Sequence, residues 1–244
     1  MKEQFKIKNK IINIYFNNSN LKELPVVILN NYSDNAEEVY NKCNDINCNE
    51  FILVSISNLD WNNDMSPWYT ENINNYDSNF LGKADEYIDL LVNDIMQYVS
   101  NFIINKFNKN IKYYTIAGYS LAGLFSVYIA YKTDIFKRIV SAWGSFWYPD
   151  FLEFVKKNNI SYNIEKIYFS LGNRESKVKN KILSEVENNT KELEKIYKDK
   201  GINTVYIEND GNHFQEVSLR IAKGIKWVLY WYIYIDILIP LKQF

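Results

Sequence analysis

Apolar positions along the chain alternate between two spacings. Short runs rich in β-branched and aromatic residues, bounded by Asn, Gly or Pro, recur at 11–16, 25–29, 51–56, 113–118, 138–142, 167–171 and 204–207, the pattern expected of strands. The run at 51–56 is apolar almost throughout, as in a strand covered on both faces, and Pro25 suits a strand edge, where a missing N–H matters least. Between these runs the period changes. Tyr87, Leu90, Leu91, Ile95, Tyr98, Val99 and Phe102 form one stripe of a helix over 84–107. Further helices are expected over 120–131, over 176–200 with Gly201 as its stop, and over 215–231, with a shorter one begun by Asp34 and running through Cys43. Residues 57–80 show neither period, and an irregular stretch of that length in a compact domain is commonly functional. Apolar strands alternating with amphipathic helices predict one α/β domain over 1–244: a mostly parallel central sheet with helices on both faces, a core at 10–233, and an apolar tail at 234–244.

Composition fits this reading and removes several functions. The chain has 244 residues, 47% of them apolar, which suffices for one large core. A net charge of −1 gives no electrostatic footprint for nucleic acid. Its two cysteines, Cys43 and Cys48, make no disulfide framework and lack the neighbouring ligands a metal site needs. The first ten residues are charged, unlike a signal peptide. Residues 227–239 are strongly apolar but fall short of the about 20 residues of a membrane span, so they are expected to form a buried last helix and tail. The cytosol is the expected compartment, and the tail is a candidate homodimer contact.

Candidate chemistry gathers where strands end, because ligands of such sheets collect outside the carboxyl ends of the strands. Gly118–Tyr119–Ser120–Leu121–Ala122–Gly123 closes one strand and opens a helix. This is the setting of a nucleophile elbow, although Ala122 stands where G-x-S-x-G has its second glycine. Past the strand at 167–171 comes Glu175, and past the one at 204–207 comes His213, the single histidine of the chain. A serine hydroxyl needs a base to take its proton, and an imidazole needs a carboxylate to fix its tautomer. If Ser120 uses a histidine base, that base is His213. For the acid, Glu175 occupies the expected turn, Asp210 is nearer in sequence, and a dyad without a strong acid is the third option. The developing oxyanion needs two donors: the N–H of Leu121 after the nucleophile, and that of Tyr32 in the turn Asn30–Asn31–Tyr32. Trp61, Trp68, Tyr119, Trp143 and Trp147 lie at the elbow, in neighbouring turns or in the long loop, where they either line a substrate pocket or pack the loops down. Asp60 and Asp64 read as turn formers and not as metal ligands.

The elbow, Asp60–Trp61–Asn62 with Ser66–Pro67–Trp68, Ser145–Phe146–Trp147–Tyr148–Pro149, Ser170–Leu171–Gly172–Asn173–Arg174–Glu175 and Asn212–His213 together resemble the small bacterial esterases of the α/β-hydrolase superfamily, similar to enterochelin esterases and the esterase D group. The resemblance covers roughly residues 11–231 by the order of its motifs. It implies a cofactor-free serine hydrolase with Ser120 as nucleophile and His213 as base, acting on a small-molecule carboxylic ester through an acyl-enzyme. It does not transfer a substrate, and some enterochelin-type relatives lack a clear acid. The same residues are compatible with an acyltransferase, and the fold alone with a non-catalytic ligand-binding protein.

Overall fold

The computed structural model describes residues 2–71, 73, 78–175 and 180–230. The start of the expected helix at 176 and the tail at 234–244, with its dimer contact, lie outside them. In chain order the elements are β1 (Lys2–Ile7), β2 (Lys10–Tyr15), β3 (Glu23–Asn30), α1 (Ala36–Asp45), β4 (Ile52–Ser57), α2 (Trp61–Asp64), β5 (Tyr69–Thr70), β6 (Phe80–Leu81), α3 (Ala84–Leu90), α4 (Met96–Phe107), β7 (Asn110–Tyr119), α5 (Leu121–Tyr128), β8 (Phe136–Ala142), α6 (Phe151–Lys157), β9 (Lys166–Gly172), α7 (Lys181–Ser184), α8 (Val186–Asp199), β10 (Asn203–Asn209) and α9 (Val217–Leu229). Eight strands form one sheet in the order β1-β2-β4-β3-β7-β8-β9-β10. From β4 to β10 neighbours are parallel, while β1–β2 and β2–β4 are antiparallel. This is the α/β-hydrolase arrangement the sequence led us to expect.

Burial follows the strand period of two. Along β3, Val26 and Ile28 enter one core with residues of α3, α4, α5, α6 and α8. Val27 and Leu29 enter the other, against α1 and α9. Successive side chains point to opposite faces, so a continuous apolar run such as Leu24–Leu29 means helices on both sides. No helix among the described residues is long and apolar enough to cross a membrane.

Four local expectations are corrected. First, β1 was not foreseen: Lys-Glu-Gln-Phe-Lys-Ile is half-exposed and pairs only with β2, and charged residues suit such an edge. Second, the stripe over 84–107 is one path but includes a π-helical turn at Leu91–Ile95. Third, Asp34 does not cap α1, whose N-cap is Asn35, without a side-chain cap bond. Fourth, 57–80 is not wholly irregular, since it holds α2, β5 and the first residue of β6. There Asp60 accepts from the Asn63 amide at 3.0 Å, and Asp64 accepts the Asp60 N–H at 2.8 Å while pairing with Lys10, so both carboxylates serve the turn.

Candidate active site

Strand register builds a rim on which the candidate residues stand. Asn30 pairs with Gly118 across β3 and β7, so Tyr32 and Ser120 each lie two residues past one paired row. Backbone bonds carry the alignment beyond the strand ends. Ser120 N–H donates to the Ala142 carbonyl at 3.1 Å, Trp143 N–H to Ser170 at 2.8 Å, Asn173 N–H to Asn209 at 2.9 Å, and Asn31 N–H to Ile56 at 2.9 Å. With the Asn31 N–H engaged, the Tyr32 N–H is the next donor in the turn, and it has no partner among the described residues. Nor has that of Leu121.

Ser120 sits at φ 59°, ψ −124°. Such a conformation is costly for a residue with a Cβ and characteristic of a nucleophile elbow. The surrounding small residues are needed for space. A Cβ on Gly118 would stand 2.1 Å from the Ala122 carbonyl oxygen, and one on Gly123 2.9 Å from Gly144 Cα. Ala122 is fully buried and fits. The departure from G-x-S-x-G is therefore accommodated, because the crowding falls at 118 and 123. The close approach of Gly123 to Gly144 also brings in Ser145, to which the sequence motif assigned no role of its own. Ser145 is buried, its N–H donates to the Ser120 carbonyl at 3.2 Å, and its Oγ lies 3.3 Å from Ser120 Oγ.

His213 and Glu175 meet across two different turns, with His213 Nδ1 3.4 Å from Glu175 Oε1. Asp210 does not serve that nitrogen; its carboxylate accepts from the Asn173 amide at 2.8 Å. Glu175 Oε1 also accepts the indole N–H of Trp143 at 2.7 Å. Tyr119 donates its hydroxyl to the His213 carbonyl at 2.6 Å, and its ring lies 5.2 Å from the imidazole and stacks on Trp143. Burial raises the Tyr119 phenol above its usual range.

The five aromatic residues separate into supports and rim. Trp143 is buried beneath Arg220, whose guanidinium carbon is 3.7 Å from the ring centroid. It and Tyr119 are buried with their polar atoms engaged. Trp68 donates to the Pro149 carbonyl at 3.2 Å and packs among Tyr128, Tyr148, Phe151 and Phe154, which pins the long loop down. Trp61 remains partly open, edge-on to the 76%-exposed Tyr32. Trp147 borders a cavity of about 520 Å³ together with Leu152, Ile182, Glu185 and Asn189; Ser120 is not among its lining residues. Phe214, which the sequence reading overlooked, is 86% exposed beside the imidazole of His213.

Comparison with known proteins agrees with this architecture. Over 154 residues the chain is 23% identical to the uncharacterized protein YbbA of Bacillus subtilis, covering 62% of this chain and 60% of that relative's length. The siderophore hydrolase EstA of Aspergillus nidulans superposes with a TM-score of 0.69 at 14% identity, over 94% of this chain and 93% of that one. The enterobactin esterase FES of Shigella flexneri does so at 0.65 and 14%, over 93% and 58%. These structural likenesses establish a shared fold. The model of the Esterase family, described as "Putative esterase", matches residues 10–217, most of the chain, and the protein belongs to that family.

Proposed function

We propose that the protein is a serine hydrolase of small-molecule carboxylic esters. The observation that carries this reading is the left-handed Ser120 at the elbow, on the same rim as an imidazole whose Nδ1 faces a carboxylate. In the proposed reaction His213 takes the Ser120 proton as Oγ attacks the ester carbonyl, and Glu175 holds the imidazole tautomer and stabilises its charged form. The N–H groups of Leu121 and Tyr32 receive the oxyanion, which carries full charge only in the tetrahedral state. His213 then returns the proton to the departing alkoxide, leaving an acyl-enzyme on Ser120. Water activated by the same imidazole attacks that ester, and the acid departs. The set needs no metal or cofactor for any of these steps.

Substrate recognition falls to Tyr32, Trp61 and Phe214, which offer aromatic surface on the rim, and to the Trp147 cavity. Esters with an aromatic or apolar group next to the scissile bond suit such surfaces. The names of EstA and FES make siderophore esters one member of that class to include in a panel. Turnover of short p-nitrophenyl esters tests the reading. The wild type should hydrolyse them and His213→Ala should not, while its circular dichroism stays unchanged; normal turnover by the variant would remove His213 from the reaction.

A further inference from the structure

The buried cation of α9 has no role in the chemistry just described, yet everything it touches leads to the acid–base pair. Arg220 is 1% exposed and lies in the first turn of α9, where the helix dipole disfavours positive charge. No carboxylate stands within ion-pair distance of it among the described residues, and its Nε is buried without a partner. A buried, unpaired charge normally lowers stability, so fold stability alone does not account for this residue.

Its contacts do. Nη1 donates to the Asn212 carbonyl and Nη2 to the Asp210 carbonyl, each at 2.7 Å. Those are the residues immediately before His213 and two before that. Between them Gly211 has φ +103°, and a Cβ there would stand 3.1 Å from Arg220 Nη2 and 2.0 Å from Gln215 Oε1; the chain folds around the guanidinium, and a glycine allows it. Nη1 also reaches the Tyr119 hydroxyl at 3.4 Å, the group that donates to the His213 carbonyl. The guanidinium face covers Trp143, whose indole N–H holds Glu175. Thus each of these guanidinium contacts ends either on the turn that carries His213 or on a residue hydrogen-bonded to His213 or Glu175.

We infer that Arg220 is a positioning residue: its planar fork fixes the 210–213 turn and, through Trp143, the Glu175 carboxylate, so that imidazole and carboxylate stay in register with Ser120. A lysine could supply the charge but not the two parallel donors. The inference rests on the assignment of His213 and Glu175 as base and acid, and it concerns geometry, not substrate contact.

The test compares wild type, Arg220→Lys and Arg220→Met on p-nitrophenyl acetate, with and without added guanidinium ion at a concentration the wild type tolerates. Misplacing a catalytic group by about 1 Å costs about 100-fold. Both variants should therefore lose kcat by about that factor with KM little changed, and guanidinium should restore a good part of the loss in Arg220→Met. Wild-type kcat in Arg220→Lys would overturn the inference, and so would a loss in a folded Arg220→Met that guanidinium fails to reverse. If the methionine variant does not fold, Arg220→Lys decides. Failure of the underlying reading looks different: wild type itself then shows no turnover and no labelling by a fluorophosphonate.

Discussion

Trp143 places its indole nitrogen 2.7 Å from the carboxylate oxygen of Glu175 that faces His213. That oxygen accepts the indole N–H and lies 3.4 Å from His213 Nδ1, so the tryptophan sets where it stands. Replacing Trp143 by Phe keeps most of the ring but removes the donor. A hydrogen bond to a charged group contributes about 1.5–3 kcal/mol, and part of it acts on the orientation of Glu175. We expect kcat on a p-nitrophenyl ester to fall about tenfold, equivalent to about 1.4 kcal/mol of barrier, with KM nearly unchanged. A rise in KM alone would instead make Trp143 a substrate contact.

The two carboxylates flanking His213 give opposite expectations. Glu175→Gln retains an oxygen for Trp143 and loses the charge behind the imidazole, which should lower kcat by about 10²–10⁴-fold. Asp210→Asn retains the acceptor for Asn173 and changes a group that does not face Nδ1. Its effect should stay within about twofold, as for an ordinary surface substitution of about 0.5 kcal/mol. Steady-state kinetics of both variants under one set of conditions decides between the acids.

The elbow permits a test of its own departure from the motif. Ala122→Gly restores G-x-S-x-G, yet it places glycine inside α5 where alanine already fits. It should lower stability by about 1 kcal/mol and leave kcat near the wild-type value. Gly118→Ala forces a Cβ to within 2.1 Å of the Ala122 carbonyl oxygen, and backbone cannot yield as a flexible side chain can. Overpacking of this kind costs about 1–3 kcal/mol or more. Thermal melts of the two variants should rank them in that order.

How much of this could be read in advance follows from what a linear pattern encodes. The strands 25–29, 51–56 and 167–171 were legible because parallel strands buried on both faces are apolar at every position. The edge strand β1 was not, since a strand with one neighbour and half-exposed side chains looks like polar coil. The placement of Ser120, Glu175 and His213, each just past a strand end, was legible through topology. The contacts of Tyr119 and Trp143 with His213 and Glu175 were not. Spacing locates a residue on a turn but not the direction of its ring, and both turn inward onto Arg220 and His213. Arg220 itself left a signal that went unread: a cation at the start of α9 within an otherwise apolar neighbourhood that includes Ile221, Ala222 and Ile225. Phe214 carried none, because exposure of a single aromatic residue depends on the fold around it.

Ser145 adds a prediction that rests on its position beside Ser120. Its Oγ lies 3.3 Å from Ser120 Oγ, and its backbone N–H donates to the Ser120 carbonyl. Ser145→Ala should lower kcat about threefold to tenfold, the scale of one neutral hydrogen bond of about 1 kcal/mol, without changing the melting temperature appreciably. Unaltered kcat would make Ser145 a packing residue of the 143–146 turn.

An activated Ser120 is open to covalent trapping. The folded protein is treated with a fluorophosphonate and the modified residue located by mass spectrometry after digestion. One phosphonylated site is expected, at Ser120, formed in wild type, strongly slowed in His213→Ala and absent from Ser120→Ala. Folded wild-type protein that stays unlabelled, or that carries the label at another residue, would contradict it.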